Sequence, residues 1–103
     1  SNDYGYDFVY SRLLTASARQ GDVLVGISTS GNSRNIIEAY KVCKEKDIKI
    51  ISLTGATGGL MKDFDGILIN VPSTDTPRIQ ESHIMIGHII CELVERRTLN
   101  AKL

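Results

Sequence analysis

The sequence predicts an α/β domain, a three-layer αβα sandwich around a parallel sheet, and three observations carry that expectation. Short runs that are apolar throughout alternate with segments of helical periodicity. Runs of that kind belong to parallel sheets covered on both faces, whereas half-wet antiparallel strands alternate apolar and polar residues. Polar loops follow the strands, at the carboxyl edge where ligands of such sheets gather.

The elements follow in order. After an opening loop, Phe8, Val9, Leu13, Leu14 and Ala16 recur at helical spacing, and the helix should end near Gln20-Gly21. Val23-Leu24-Val25-Gly26-Ile27 reads as a buried strand. The loop Ser28-Thr29-Ser30-Gly31-Asn32-Ser33 leads into a helix carrying Ile36, Ile37, Ala39, Tyr40 and Val42, to about Lys46. Ile48 to Leu53 is a second strand, followed by the turn Thr54-Gly55-Ala56-Thr57-Gly58-Gly59 and a short helix over Leu60 to Lys62. Ile67 to Val71 is a third strand. The loop Ser73-Thr74-Asp75-Thr76 then brings the chain to Pro77, suited to the first turn of a last helix reaching about Arg97. Three strands alone leave much apolar surface bare, so the expectation is a single partial domain over residues 1–103, completed by further chain, by a partner subunit, or by both.

Composition bounds the function. A chain of 103 residues makes one small domain, and 42% hydrophobic with 23% charged residues is ordinary for a globular protein. Twelve basic residues balance twelve acidic ones, which gives no electrostatic reason to expect nucleic acid or an anionic membrane as partner. No apolar run approaches the ~20 residues of a membrane span, and the first residues do not read as a signal peptide. Cys43 and Cys91 form no Cys-x-x-Cys pair, and both lie at apolar helical positions. They are expected to be buried free thiols, in keeping with a cytoplasmic protein.

The hydroxyl loop is the strongest chemical signal. Gly31 permits a tight turn, and the unpaired N–H groups of the new helix point at whatever occupies the loop. No carboxylate precedes Glu38, and Arg34 adds positive charge, so the helix dipole is left for a ligand anion. A plain serine N-cap would account for one or two of the hydroxyls only. The last helix is apolar nearly all round, a sign of a subunit interface. It is interrupted by Gln80, Glu81, His83 and His88. His88 is open to two readings, a satisfied core histidine or an acid/base group or metal ligand. His83 is expected to be exposed or at an interface, and the glutamates Glu81 and Glu92 solvated or paired. The Gln80 amide could orient a sugar hydroxyl.

These residues resemble the phosphoheptose (sedoheptulose 7-phosphate) isomerase family of the sugar-isomerase, or SIS, domain superfamily. The matching segments are Ser1-Asn2-Asp3-Tyr4-Gly5-Tyr6-Asp7, Gly21 through Ser33, Leu53-Thr54-Gly55 and Arg78-Ile79-Gln80-Glu81-Ser82-His83, with His88 beyond. The resemblance implies a flavodoxin-like or Rossmann-like SIS fold and an aldose–ketose isomerase working through an enediol, on the route to bacterial heptose and lipopolysaccharide. It implies that Ser28, Thr29, Ser30 and Ser33 hold the phosphate, that Asn2 and Asp3 contact substrate, and that Gln80 and His88 line the reaction centre. Zinc bound by Gln80 and His88, His88 as one acid/base partner, and a homotetramer with sites at subunit boundaries are further implications. Pro77 stands where some members of the family carry an acidic residue. The family's catalytic glutamate, a further histidine ligand and a Gly-Asn-Gly-Gly-Ser loop do not occur in these residues. The expectation is therefore a C-terminal portion, inactive when isolated. Two other functions compete, a non-catalytic SIS adaptor of the replication-initiator-associating type and a sugar-phosphate-sensing regulatory domain. Neither needs a histidine at position 88.

Overall fold

A computed structural model describes residues 9–102. Helix α1 (Val9–Ser17) is followed by strand β1 (Val23–Ile27), helix α2 (Arg34–Lys46), strand β2 (Lys49–Thr54), a 3₁₀ turn (Gly59–Asp63), strand β3 (Ile67–Asn70) and helix α3 (Thr76–Lys102). The three strands are parallel in the order β1-β2-β3, with Val25 beside Ile51 and Ile51 beside Ile67. Every expected element is present. Phe8, placed in the first helix by its spacing, lies outside the described residues, as do Asn2 and Asp3.

Helix α1 ends sooner than periodicity suggests. Ala18 N–H still bonds the Leu14 carbonyl, but Asp22 N–H bonds the Arg19 carbonyl and Gly21 takes φ +95°, turning the chain toward β1. Helix α3 runs about five residues past the expected end, its last turns being rich in good helix formers.

Two-residue alternation divides the sheet into two faces. On one, Ile50 joins Tyr40, Cys43, Ile48 and Met61 in the buried core, with Leu24, Leu14, Ile36 and Phe64 packed against it. Gly26 is required on this face. A β-carbon there would overlap the Tyr40 hydroxyl, so only glycine lets α2 approach. On the other face α3 packs across β2, and Leu53 and Ile79 are buried. Cover on that side is partial: Val23, Val25, Ile27 and Ile67 remain exposed.

Candidate functional site

The hydroxyl loop is fastened to the carboxyl edge of the sheet. Ser28 N–H bonds the Leu53 carbonyl at 3.0 Å, and Gly55 N–H bonds the Thr29 carbonyl at 3.0 Å. Gly31, at φ +73°, lies so close to Gly58 that a β-carbon would strike the Gly58 carbonyl. The 3₁₀ turn braces the loop from below: Met61 N–H bonds the Gly31 carbonyl, and Leu60 N–H bonds Asn32 Oδ1 at 2.8 Å. The Thr54 turn and the Ser73 loop close on the same rim, where Ala56 N–H bonds the Ser73 carbonyl. The three polar loops expected to converge do so.

Within the loop, Ser28 Oγ lies 2.8 Å from Ser33 Oγ and 3.4 Å from Ser30 Oγ, and it accepts Gly31 N–H at 3.1 Å. Ser30 Oγ accepts Asn32 N–H at 3.1 Å. Ser33 occupies the N-cap position of α2 yet makes no side-chain cap bond, since its hydroxyl faces Ser28. Simple capping therefore does not explain these serines. With no acidic residue in the first turn of α2, the positive end of the helix dipole is left unneutralised.

A cavity of roughly 520 Å³ opens between this loop and α3. Ser28, Thr29, Ser30 and Ser33 form one wall, Gln80, His83, Ile84 and Gly87 the other, with Ile27 beneath. The second wall is a single helical face, spaced i, i+3, i+4 and i+7. Apart from His83 the lining carries no ionisable group, so hydroxyls, N–H groups and the helix dipole would have to hold an anion there. A larger cavity, about 700 Å³, lies by the amino-terminal ends of β2 and β3 among Lys44, Asp47, Lys49, Asp63 and Asp65. Ligands of parallel sheets gather at the opposite edge.

The structure therefore brings five expected site residues together: Ser28, Thr29, Ser30, Ser33 and Gln80. It does not bring His88 with them. His88 is exposed and does not line the cavity, and the eight residues from Gln80 amount to about 12 Å along the helix axis. Among the described residues no group of three or more His, Cys, Asp or Glu could hold a metal ion. Two donors, one of them an amide, fall short of the usual zinc set, so the described residues alone do not fit a zinc site.

Two expectations are corrected. His83, expected to be exposed or at an interface, is 3% exposed, because it turns inward on the face that α3 lays against β2. Its position three residues after Gln80 could place it beside the cavity, but nothing in the spacing marked it as buried. Cys91, expected to be buried like Cys43, is exposed, since the part of α3 that carries it extends beyond the sheet. Burial raises the Cys43 thiol above its ordinary pKa. The glutamates behave as expected: Glu81 is exposed, and Glu92 pairs with Arg96 at 2.7 Å.

With this geometry in place, the similarities to known proteins are specific. The SIS domain family model matches residues 1–55. A phosphoheptose isomerase of Aneurinibacillus thermoaerophilus is 58% identical over 101 residues, covering 98% of this chain and 51% of that protein. Phosphoheptose isomerase 2 of Campylobacter jejuni is 56% identical, over 91% of this chain and 47% of that protein. Among solved structures, a phosphoheptose isomerase from Neisseria gonorrhoeae superposes with a TM-score of 0.85 at 50% identity, over 90% of this chain and 53% of its own. One from Francisella tularensis gives 0.86 at 33% identity, over 92% and 53%. The chain spans about half the length of these relatives. On its sequence, its parallel sheet and its hydroxyl loop, the chain belongs to the SIS domain family.

Proposed function

We propose that the chain forms the sugar-phosphate-binding part of an aldose–ketose isomerase that converts sedoheptulose 7-phosphate to D-glycero-D-manno-heptose 7-phosphate, supplying heptose for bacterial lipopolysaccharide in the cytoplasm. The observation that carries the reading is the cavity where four hydroxyl side chains face Gln80 across the open end of α2. The relatives' shared name supports the reaction, and no adaptor or regulatory protein stands among the relatives described above.

In this reading Ser28, Thr29, Ser30 and Ser33 turn their hydroxyl protons from one another onto the phosphoryl oxygens, helped by the unpaired N–H groups of α2. Gln80 orients a hydroxyl of the carbon chain, and Asn2 and Asp3 contact the substrate. A base removes a proton from C1 of the ketose while the C2 carbonyl oxygen takes one up, giving the enediol. A proton then returns to C2 as the C1 hydroxyl gives up its own to become the aldehyde. His88 serves as one of the two acid/base groups and a glutamate outside these residues as the other, so the 103 residues alone would bind without turning over. Zinc is part of the proposal: Gln80 of one subunit and His88 of another would supply two donors, since about 12 Å of one helix separates them within the chain, with the rest from outside the described residues, and no step here runs through it. A homotetramer would cover the exposed apolar surface.

Thermal stabilisation tests the reading. Inorganic phosphate and sedoheptulose 7-phosphate should both raise the melting temperature, and Ser30→Ala should weaken both affinities about tenfold, ~1.4 kcal/mol. Equal shifts in the two proteins would remove the loop as the phosphate site. His88→Asn should bind substrate and fail to turn it over in the active assembly, whereas full activity would exclude its acid/base role.

A further inference from the structure

His83 is the polar group of the cavity for which the preceding reading has no task. Its Nε2 lies 2.9 Å from the Thr54 carbonyl oxygen, which also accepts Val71 N–H at 2.9 Å. A carbonyl only accepts, so Nε2 carries the proton and donates. In the neutral ring Nδ1 is then an acceptor. That nitrogen is closed to solvent and has no hydrogen-bond partner among the described residues. An unpaired buried acceptor costs about 1–3 kcal/mol, and the great majority of such groups are satisfied. His83 also lines the binding cavity, so a donor from a neighbouring cavity residue is the partner to look for.

A donor on the same helix is Gln80. It stands three residues earlier on α3, lines the same cavity and is exposed. Residues at that spacing have Cβ atoms about 5–6 Å apart, within reach of a glutamine side chain. The serine hydroxyls opposite are engaged with one another. We propose that His83 is a positioning residue: its Nδ1 accepts a proton of the Gln80 amide nitrogen, which leaves Gln80 Oε1 as the end presented to the cavity. An amide can face either way, and an acceptor-only nitrogen beside it decides which. An inward oxygen accepts from a ligand hydroxyl, so His83 selects a phosphate ester whose carbon chain carries hydroxyls over a plain alkyl phosphate. This inference rests on the reading that the hydroxyl loop holds the phosphoryl group.

Two substitutions separate this role from a structural one. His83→Gln reaches as far as the ring Nε2 and keeps a donor for Thr54, but has no acceptor where Nδ1 stood. His83→Asn can place an acceptor at the Nδ1 position while dropping the bond to Thr54. Calorimetric titrations would compare inorganic phosphate, propyl phosphate and sedoheptulose 7-phosphate. The preference for the sugar phosphate over propyl phosphate should fall about tenfold in His83→Gln, equally in Gln80→Leu, and no further in the double variant. His83→Asn should recover part of it, and inorganic phosphate should bind all of them as it binds the unaltered protein. A retained preference in His83→Gln, or losses that multiply in the double variant, would overturn the proposal. Imidazole ¹⁵N resonances of the unaltered protein give a mutation-free check, since an Nδ1–H tautomer would also overturn it. Failure of inorganic phosphate to bind the unaltered protein would instead strike at the phosphate reading.

Discussion

At the scale of single residues, Tyr40 ties the fold to the site's supporting helix. The ring is fully buried, its hydroxyl lies 2.7 Å from Ser52 Oγ, and it meets Phe64 edge-on at a centroid distance of 5.2 Å. Tyrosine at an apolar helical position was legible in the sequence. Its dependence on Gly26 was not, because the contact joins two layers and leaves no periodicity. Tyr40→Phe would strand the Ser52 hydroxyl, itself 2% exposed, at a cost of about 1–3 kcal/mol. The urea midpoint should fall with the slope unchanged. A midpoint equal to that of the unaltered protein would show that the pair contributes nothing. Burial also raises the phenol's pKa above its ordinary 10.0, against a smaller opposing effect of the Ser52 bond. The neutral phenol is thus favoured by folding. That contribution is complete below pH 10 and declines as pH rises from there through the raised value. The alkaline loss of stability should be shallower in Tyr40→Phe.

At the scale of elements, α1 shows how a helix end is settled by a residue far along the chain. Lys46, in the last turn of α2, donates from Nζ to the carbonyls of Leu14, Thr15 and Ala18, at 3.1, 2.8 and 2.8 Å. The Leu14 carbonyl also accepts Ala18 N–H, whereas those of Thr15 and Ala18 lie at the end the helix leaves short of donors, and a cation is the charge its negative pole favours. The sequence could place α1 by its apolar spacing, but not its end, since the capping group lies 28 residues beyond Ala18. Helix α3 presents the same division. Its periodicity announced Gln80 and the apolar stripe, whereas the burial of His83 depends on the way the helix crosses β2, which spacing leaves open. Lys46→Met keeps the aliphatic stem and removes the ammonium. It should cost about 1–2 kcal/mol, with a loss of helical ellipticity before the main unfolding transition as α1 frays. A variant with full ellipticity and stability would mean that water replaces the ammonium at no cost.

Across the whole molecule, the exposed apolar residues form two connected themes. Val23, Val25 and Ile27 of β1 and Ile67 of β3 lie on the sheet face that α3 only partly covers, and Met85, Ile89 and Leu93 form a stripe on α3 at successive i+4 positions. Met85 is 65% exposed, which is far from the interior place its side chain favours. Large apolar side chains exposed in this number mark a surface made for contact, and burying each is worth about 1.5–3 kcal/mol. The sequence announced the uncovered surface through its count of strands and the apolar circumference of its last helix, but which residues stay bare follows only from the sheet order and the course of α3. The stripe lies on the face of α3 turned away from the cavity, about 170° round the helix from Gln80, His83, Ile84 and Gly87, so an association through it would leave the cavity open. Sedimentation equilibrium should therefore show self-association that deepens with concentration. Ile89→Lys with Leu93→Lys should shift the population to the smallest species while far-ultraviolet ellipticity is retained, because both side chains are at least half exposed within the chain itself. If the double variant keeps the mass distribution of the unaltered protein, the stripe is not the surface through which subunits meet.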